Sequence, residues 1–197
     1  STAFGALKST QVTGLNTTQI ANLDATRLAA LNTTVLAALD TTQTEALTST
    51  QVGLLKTTQL NALSATTFAD LSTTDLDALS TTQVAGLSTT QVERLTSTQV
   101  GSLDATQIGA LTPTSIITLS TTDLGTLDTT QIGGLTSAQV ARLTNTQVAN
   151  LSSTQVAAIS STAIAGLTSL QVANVPTANL TALSTTSLKD RTAQALG

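Results

Sequence analysis

The chain lacks most of the side chains on which enzyme chemistry depends. Its 197 residues include no His, Cys, Met, Trp or Tyr, and Phe occurs only twice. The absence of His and Cys excludes the common zinc sites and thiol redox motifs. A nucleophilic Ser or Thr needs a neighbouring base, and neither a triad nor a Ser-Lys dyad is indicated. We therefore expect no enzyme activity, and no catalytic, cofactor-binding or metal-binding residues.

Charge is also scarce, with charged residues at 9% and a net charge of -4. The few basic residues are scattered and cannot neutralise a nucleic-acid backbone. They are Lys8, Arg27, Lys56, Arg94, Arg142, Lys189 and Arg191. No apolar run approaches the ~20 residues that span a bilayer. The sequence predicts no nucleic-acid partner, no membrane span and no small-molecule substrate.

What the chain contains instead is one motif of eight residues, Leu-(Ser/Thr/Asp/Asn)-Thr-Thr-Gln-(Val/Ile/Leu)-Ala-x. Residues 7–190 hold an array of 23 such octads without insertion or deletion; residues 1–6 form a partial repeat and residues 191–197 a degenerate terminal repeat. Position 1 is Leu in 21 octads, position 6 is apolar in 22, and position 5 is Gln in 14. Such self-similarity predicts the stacking of one small unit.

The octad period requires the chain to turn once per repeat. Eight residues at ~100° each leave a remainder of ~80°, so the Leu column would wind around one long helix without forming a face. Eight is also too far from the heptad of a coiled coil. Positions 1 and 6 would point to opposite sides of a flat strand.

Position 2 carries the signal of a helix start. It is Ser, Thr, Asp or Asn in 20 of 23 octads, the set preferred at a helix N-cap. The Gln three residues later completes a capping box, and the apolar residues at positions 1 and 6 form a hydrophobic staple. Pro113 falls at position 3, the first helical residue, where proline is best tolerated. Small residues at positions 7 and 8 allow close backbone approach.

These signals predict an all-α solenoid of very short capped helices, one per octad. A β-solenoid is the alternative, because Thr, Val and Ile favour strands. We expect the position 4 Thr to face a neighbouring coil or to bond local backbone. Thr44 in place of an apolar staple residue and Pro176 in place of a cap mark the octads expected to be irregular.

A longer period overlies the octad. The segment 47–53 recurs at 95–101, which is 48 residues later, and Asp75 and Asp123 share that separation. Six octads then either make a whole number of superhelical turns or record duplication of a six-octad block. The sequence leaves both explanations open.

Two further groups of polar residues have ordinary interpretations. Asp70, Asp75 and Asp77 form the one local acidic cluster, for which we expect a solvated edge rather than a weak Ca²⁺ site. Four glycosylation sequons begin at Asn16, Asn32, Asn150 and Asn179. Asn16 and Asn32 are more simply explained as helix caps.

The run from Leu79 to Val92, Leu-Ser-Thr-Thr-Gln-Val-Ala-Gly-Leu-Ser-Thr-Thr-Gln-Val, resembles octads of very large exported bacterial proteins that are labelled adhesins or haem-utilisation proteins. The resemblance covers essentially the whole chain. It implies export, an extracellular or cell-surface location, and a role as a stalk or fibre. It does not imply haem binding here, because the usual axial ligands are absent.

The function we expect is that of a non-catalytic structural repeat rod, acting as a stalk, spacer or self-assembling fibre in adhesion or matrix. Open solenoid ends associate unless a polar repeat caps them, so we expect end-to-end or lateral self-association. Phe4 and residues 191–197 offer no obvious cap. The alternative is a binding surface formed by the Thr columns, for ice or for a receptor or glycan; the ice version depends on the β-solenoid.

Overall fold

The computed structural model of the chain describes residues 7–181. Within these residues the chain forms 22 helices of four to six residues each, one per octad, and no strand. The prediction of an all-α solenoid of very short helices is therefore confirmed, and the β-solenoid alternative is wrong for this part of the chain. The partial repeat at 1–6 and the terminal segment at 191–197 lie outside the described residues.

The chain divides into two compact units, Ser1–Ser102 and Leu103–Gly197. The described helices of the first unit are α1 Ser9–Val12, α2 Thr17–Ala21, α3 Ala25–Ala30, α4 Thr33–Leu36, α5 Thr41–Glu45, α6 Ser49–Leu54, α7 Thr57–Leu60, α8 Ala65–Ala69, α9 Thr73–Asp77, α10 Thr81–Ala85, α11 Thr89–Glu93 and α12 Ser97–Ser102. Those of the second unit are α13 Ala105–Ala110, α14 Pro113–Ile116, α15 Thr121–Thr126, α16 Thr129–Gly133, α17 Ser137–Arg142, α18 Asn145–Ala149, α19 Ser153–Ala158, α20 Ser161–Ile164, α21 Ser169–Asn174 and α22 Thr177–Leu180.

Each helix begins where the sequence places its cap. At α11, the Ser88 hydroxyl accepts the Gln91 backbone N–H at 3.2 Å, and the Gln91 side-chain oxygen accepts the Ser88 N–H at 3.1 Å. This reciprocal pair satisfies two of the amide groups that a helix start leaves without partners. Pro113 lies at the first position of α14, as predicted.

Each helix ends because the next Leu turns the chain. After α6 the Leu55 N–H donates to the Val52 carbonyl at 3.2 Å, and Leu55 itself adopts extended backbone with φ −64° and ψ 138°. The following residue is already the next cap. Thr44 and Pro176 do not prevent helix formation in their octads, although the Thr44 hydroxyl is buried without a hydrogen-bond partner and Pro176 offers no side-chain cap.

Within each unit, a helix packs against the helix three places along the chain. In the first unit α3 contacts α6 and α9 contacts α12; in the second, α13 contacts α16. Three octads, or 24 residues, therefore make one turn of the solenoid. The six-octad separation of segments 47–53 and 95–101 in the first unit then equals two turns.

The core of each turn consists of the position 1 and position 6 side chains. Val52, Leu60 and Val100 are fully buried, and nearly all their equivalents are less than a tenth exposed. Burying each such side chain stabilises the fold by about 1.5–3 kcal/mol. Helices this short do not persist alone in water, so stacking maintains them.

At some copies of position 8, close approach between turns depends on glycine. A Cβ placed on Gly134 would overlap the backbone carbonyl oxygen of Ala105, which lies one turn earlier in the same unit. Gly166 meets the Ser137 carbonyl in the same way. The predicted role of small residues is confirmed at these two glycines.

A pair of glycine substitutions separates this steric requirement from helix propensity. We expect Gly134→Ala to destabilise the chain by about 1–3 kcal/mol, because backbone must move to admit the methyl group. Gly125→Ala lies inside α15, where nothing stands within 4 Å of the added methyl group, and should stabilise by about 0.5–1 kcal/mol. Chemical denaturation followed by circular dichroism measures both changes. A loss of equal size at the two positions would contradict the close-packing explanation.

Candidate functional site

The residue at position 5 connects each helix to the turn that precedes it. In α17, the fully buried Gln139 uses its side-chain oxygen to accept the Thr136 N–H at 2.7 Å and the Thr136 hydroxyl at 3.0 Å. Its side-chain nitrogen donates to the carbonyls of Ile108 and Leu111, each at 2.7 Å. Both lone pairs and both amide hydrogens of this carboxamide are thus used.

The same bond recurs along both units. The Gln51 Nε2 donates to the Leu23 carbonyl at 2.8 Å, and the Gln155 Nε2 to the Leu127 carbonyl at 2.9 Å. In each case the acceptor lies 28 residues earlier, and a second acceptor usually lies 30 or 31 residues earlier. We call these side chains the glutamine ladder: Gln43, Gln51, Gln59, Gln83, Gln91 and Gln99 in the first unit, and Gln131, Gln139, Gln147, Gln155 and Gln171 in the second.

The ladder supplies a partner to carbonyls that otherwise have none. The Leu carbonyl at position 1 follows the helix end and points away from its own helix, and at Leu55 and Leu111 the ladder Gln is its hydrogen-bond donor. A buried carbonyl left without a partner costs about 1–3 kcal/mol. The Gln at position 5 therefore caps the start of one helix and donates a hydrogen bond to the carbonyl that follows the end of a helix one turn earlier.

The sequence interpretation missed this second role. A capping box accepts Glu as readily as Gln at its third helical residue. Position 5 nevertheless holds Gln in 14 octads and Glu in none. The exclusion of Glu is a signal that the side chain must donate hydrogen bonds as well as accept them, and it was present in the sequence.

Four described positions interrupt the ladder within a unit. Val35, Thr67, Asp75 and Ala163 occupy position 5, and no side-chain donor among residues 7–181 reaches the carbonyls of Leu7, Leu39, Leu47 and Leu135, which lie 28 residues before them. In α22, Asn179 replaces Gln and still donates to the Leu151 carbonyl at 2.7 Å. The amide group, rather than Gln itself, is therefore what the position requires.

The acidic cluster is split between surface and core. Asp70 and Asp77 are exposed, as a solvated edge requires, but that prediction is wrong for Asp75, which is only 6% exposed. Asp75 takes the position of a ladder Gln and accepts hydrogen bonds from the Ser72 N–H at 2.9 Å and the Ser72 hydroxyl at 2.6 Å. Its burial follows from its register, because position 5 faces the preceding turn.

The four sequon asparagines have different structural roles. Asn16 and Asn32 cap α2 and α4 through their side-chain oxygens, as predicted. Asn150 follows α18 and donates to the Thr146 carbonyl at 2.8 Å. Asn179 belongs to the ladder position, where its amide is already bonded.

Position 4 is the most exposed column of the octad. It is exposed in every described octad, and it is Thr in all but three of them, namely Ala138, Leu170 and Ala178. The expectation that this Thr faces a neighbouring coil is therefore wrong. The alternative, a bond to local backbone, is not found among the described residues, where Thr106 donates to the Asp104 carboxylate instead. The exposure of this Thr follows from its place on the outer face of the first helical turn, opposite the buried position 6.

Electrostatic interactions among the described residues are weak. Arg27 and Asp24 form an exposed ion pair at 3.5 Å, of the kind that contributes little. The Thr106 hydroxyl and the Gln107 backbone N–H hold the pKa of Asp104 below its ordinary value. Because the folded-state pKa is lowered, this cap stabilises the chain at neutral pH and loses its effect as the pH falls through that pKa.

Two grooves lie near the start of the described residues. A groove of about 470 Å³ lies beside α1 and α4 and is lined by Lys8, Ser9 and Asn32 among others, and a second of about 260 Å³ lies beside Gln19 and Arg27. Neither contains a carboxylate. Among residues 7–181 no three acidic, His or Cys side chains converge as metal ligands, and no helix there is long and apolar enough to cross a membrane.

Short capped helices, three per turn and joined by a buried amide ladder, define a helical repeat protein of the solenoid class. Comparison with known families agrees. The chain belongs to the ALTTAQ repeat family, which matches residues 24–57, 68–105 and 116–153, together more than half of its length. Read in one-letter code, the family name is the sequence Ala-Leu-Thr-Thr-Ala-Gln. The segment Gly134-Leu-Thr-Ser-Ala-Gln139 closely resembles it.

The family matches also follow the longer period. They end at residues 57, 105 and 153, at intervals of six octads. The second and third begin immediately after Thr67 and Ser115, two of the positions where Gln is replaced. No curated protein and no solved structure matches the chain. A repeat family and a purely helical repeat fold favour a structural protein over a catalytic one.

Replacing one ladder amide by a carboxylate tests the donor role. Gln139→Glu keeps the oxygen that caps α17 but places a charged acceptor against two carbonyls. We expect a loss of about 3–5 kcal/mol, of the size found for an uncompensated buried charge. Part of this loss should be recovered at acidic pH, because burial raises the pKa of the introduced carboxyl and its protonated form can donate. Denaturation at several pH values measures both effects.

Gln19→Glu is the matched control. Gln19 is exposed and forms the same local capping box with Asn16, but its Nε2 has no hydrogen-bond partner among the described residues. Its replacement should change stability by less than about 0.5 kcal/mol. Equal losses at residues 19 and 139 would mean that only the local cap matters.

Proposed function

We propose that this chain is a non-catalytic structural repeat region of an extracellular or cell-surface bacterial protein, acting as a stalk, spacer or self-assembling fibre in adhesion or matrix. The observation that carries the proposal is that the buried ladder amides form hydrogen bonds from each turn to the one before it. The ladder amides satisfy the helix ends and bond the cap hydroxyls at position 2, so these polar groups are committed to holding one turn on the next.

The repetition of one interaction supports a role defined by length. In a repeat array each unit contacts its neighbours, so copies can be added or removed without a new core. Each added turn of three octads repeats the same amide bonds and the same Leu and Val packing. A protein that must set a distance benefits from such a fold more than one that must enclose a substrate.

The location rests on the resemblance of the Leu79–Val92 octads to exported bacterial proteins that are labelled adhesins or haem-utilisation proteins. The absence of cysteine is compatible with export but does not require it. Labelling intact cells of the producing organism with an antibody raised against the array tests the location. Labelling only after permeabilisation would contradict it.

Self-association belongs to the proposal, because a turn of a repeat array that lacks a neighbour tends to associate with another copy. A turn without a neighbour exposes ladder donors or position 1 carbonyls, and the same groups on a second copy are complementary to them. We expect sedimentation velocity to show species larger than a monomer as concentration rises, and electron microscopy to show filaments. Compact monomers alone, even in concentrated solution, would contradict the fibre version while leaving the spacer version intact.

A second candidate function is a binding surface for a receptor or glycan, presented by the exposed position 4 Thr column. Uniform exposure of Thr at this position is the observation that favours it. Near-absence of aromatic side chains argues against sugar stacking. The ice-binding version depended on strands about 4.8 Å apart, and packed helices are spaced at about 8–10 Å instead. Glycan-array screening of the intact chain tests the remaining version.

A further inference from the structure

The interruptions of the glutamine ladder are not evenly spread over the first unit. Thr67 and Asp75 occupy position 5 of consecutive octads, so two neighbouring cross-turn bonds are missing. These are the bonds that would join α8 to the Leu39 carbonyl and α9 to the Leu47 carbonyl. Both Leu residues are buried, and neither carbonyl has a hydrogen-bond donor in the described part of the chain.

Neither replacement donates a hydrogen bond across the turn. The Thr67 hydroxyl donates to the Ser64 carbonyl at 3.1 Å, within the cap of its own helix. The Asp75 carboxylate accepts the Ser72 N–H at 2.9 Å and the Ser72 hydroxyl at 2.6 Å. An ionised carboxylate has no hydrogen to donate. Both side chains therefore complete a local cap and leave the contact with the preceding turn without its ladder bond.

The two missing bonds weaken one contact between turns. We call this contact, between residues 39–62 and residues 63–86, the seam; each side of it is one turn of three octads. Of the three ladder bonds that would cross the seam, one is formed, from the Gln83 Nε2 to the Leu55 carbonyl at 2.7 Å. The seam therefore depends on a single ladder amide.

The contacts on either side of the seam retain their ladder bonds. Gln43, Gln51 and Gln59 all join residues 39–62 to the turn before them. After the seam, the next two octads are joined to the preceding turn by Gln91 and Gln99. No other two consecutive octads among the described residues of this unit lack their cross-turn bonds.

Thr44 weakens the same region independently of the ladder. It occupies position 6, which is apolar in the other octads, and it is fully buried. Its hydroxyl oxygen is buried without a hydrogen-bond partner, which is unfavourable in a core. Thr44 belongs to α5, and α5 packs against α8 across the seam. Two unpaired carbonyls and one unpaired hydroxyl thus fall within nine consecutive residues, 39–47.

We propose that the first unit has a built-in opening point at this seam, where two turns separate more readily than at the contacts on either side. Each turn of a repeat array is held by its neighbours, so the contact with the fewest bonds determines where the array opens. The turns that separate stay bonded to their other neighbours. Opening therefore gives local flexibility without unfolding the array. This proposal does not depend on the proposed function.

Native-state hydrogen exchange of the intact chain tests the seam with matched probes. The position 1 N–H donates to the carbonyl three residues earlier at Leu31, Leu47, Leu71 and Leu95 alike, at 3.1–3.2 Å. Leu47 and Leu71 flank the seam, and the other two lie one turn further away on each side. We expect the protection factors of the Leu47 and Leu71 amides to be roughly 5- to 100-fold lower than those of the other two. Equal protection at all four positions would overturn the proposal.

Restoring the missing amides shows whether the ladder is the cause. The double variant Thr67→Gln/Asp75→Gln places a donor opposite each unpaired carbonyl, so it should raise the protection of the Leu47 amide roughly 5- to 100-fold per restored bond. Asp75→Asn should give part of this gain, because Asn179 shows that a side chain of that length reaches a ladder carbonyl. If the double variant exchanges at Leu47 as fast as the wild type, the proposal is wrong.

Ala163→Gln is the matched control. It restores a single ladder bond in the second unit, where Ala163 is buried at position 5. The protection of the Leu47 and Leu71 amides should not change in this variant. A gain there equal to that of the double variant would mean that general stability, rather than the seam, sets the exchange rate.

Limited proteolysis gives a second readout on the same variants. Thermolysin cleaves beside apolar residues, which every octad contains, so the position of a cut reports opening rather than sequence. Within residues 7–102, the first cuts in the wild type should fall between residues 39 and 86. The double variant should slow them, because cleavage follows the population of the open form. First cuts spread evenly over residues 7–102 would contradict the proposal.

Discussion

The buried side-chain amide at position 5 is the interaction on which the rest of this structure depends. Helices of four to six residues do not persist alone, and each leaves amides at its start and carbonyls at its end without partners. Gln139 supplies partners to both kinds of group. Its oxygen accepts the Thr136 N–H at the start of α17, and its nitrogen donates to the Leu111 carbonyl in the preceding turn. Helix initiation and turn stacking are therefore not separate events in this fold.

Local features of the fold could be predicted from the sequence, since they depend on residues within one octad. The cap at Ser88, the capping box with Gln91 and the first-turn Pro113 were all accessible in this way. The 24-residue turn was not, because it depends on which octads meet in space. The cross-turn role of Gln139, the burial of Asp75 and the exposure of the position 4 Thr all follow from that register. The exclusion of Glu from position 5 was a sequence signal for the donor role of Gln139, although not for the register.

Repetition distributes stability evenly and makes departures from the motif informative. Where position 5 changes conservatively, as at Asn179, the cross-turn bond survives. Where it becomes Thr67 or Ala163, one buried carbonyl loses its donor, and the cost is confined to one junction. Asp75 is the departure that places a carboxylic acid, only 6% exposed, at the ladder position.

NMR couplings transmitted through hydrogen bonds observe directly whether the ladder amides donate to carbonyls one turn earlier. A correlation is predicted between the side-chain nitrogen of Gln139 and the carbonyl carbons of Ile108 and Leu111, with slow exchange of its amide hydrogens. Gln19 should show neither property. If the Gln139 side-chain amide shows no such correlation and exchanges with water as rapidly as that of Gln19, the ladder does not exist and the stacking must have another cause.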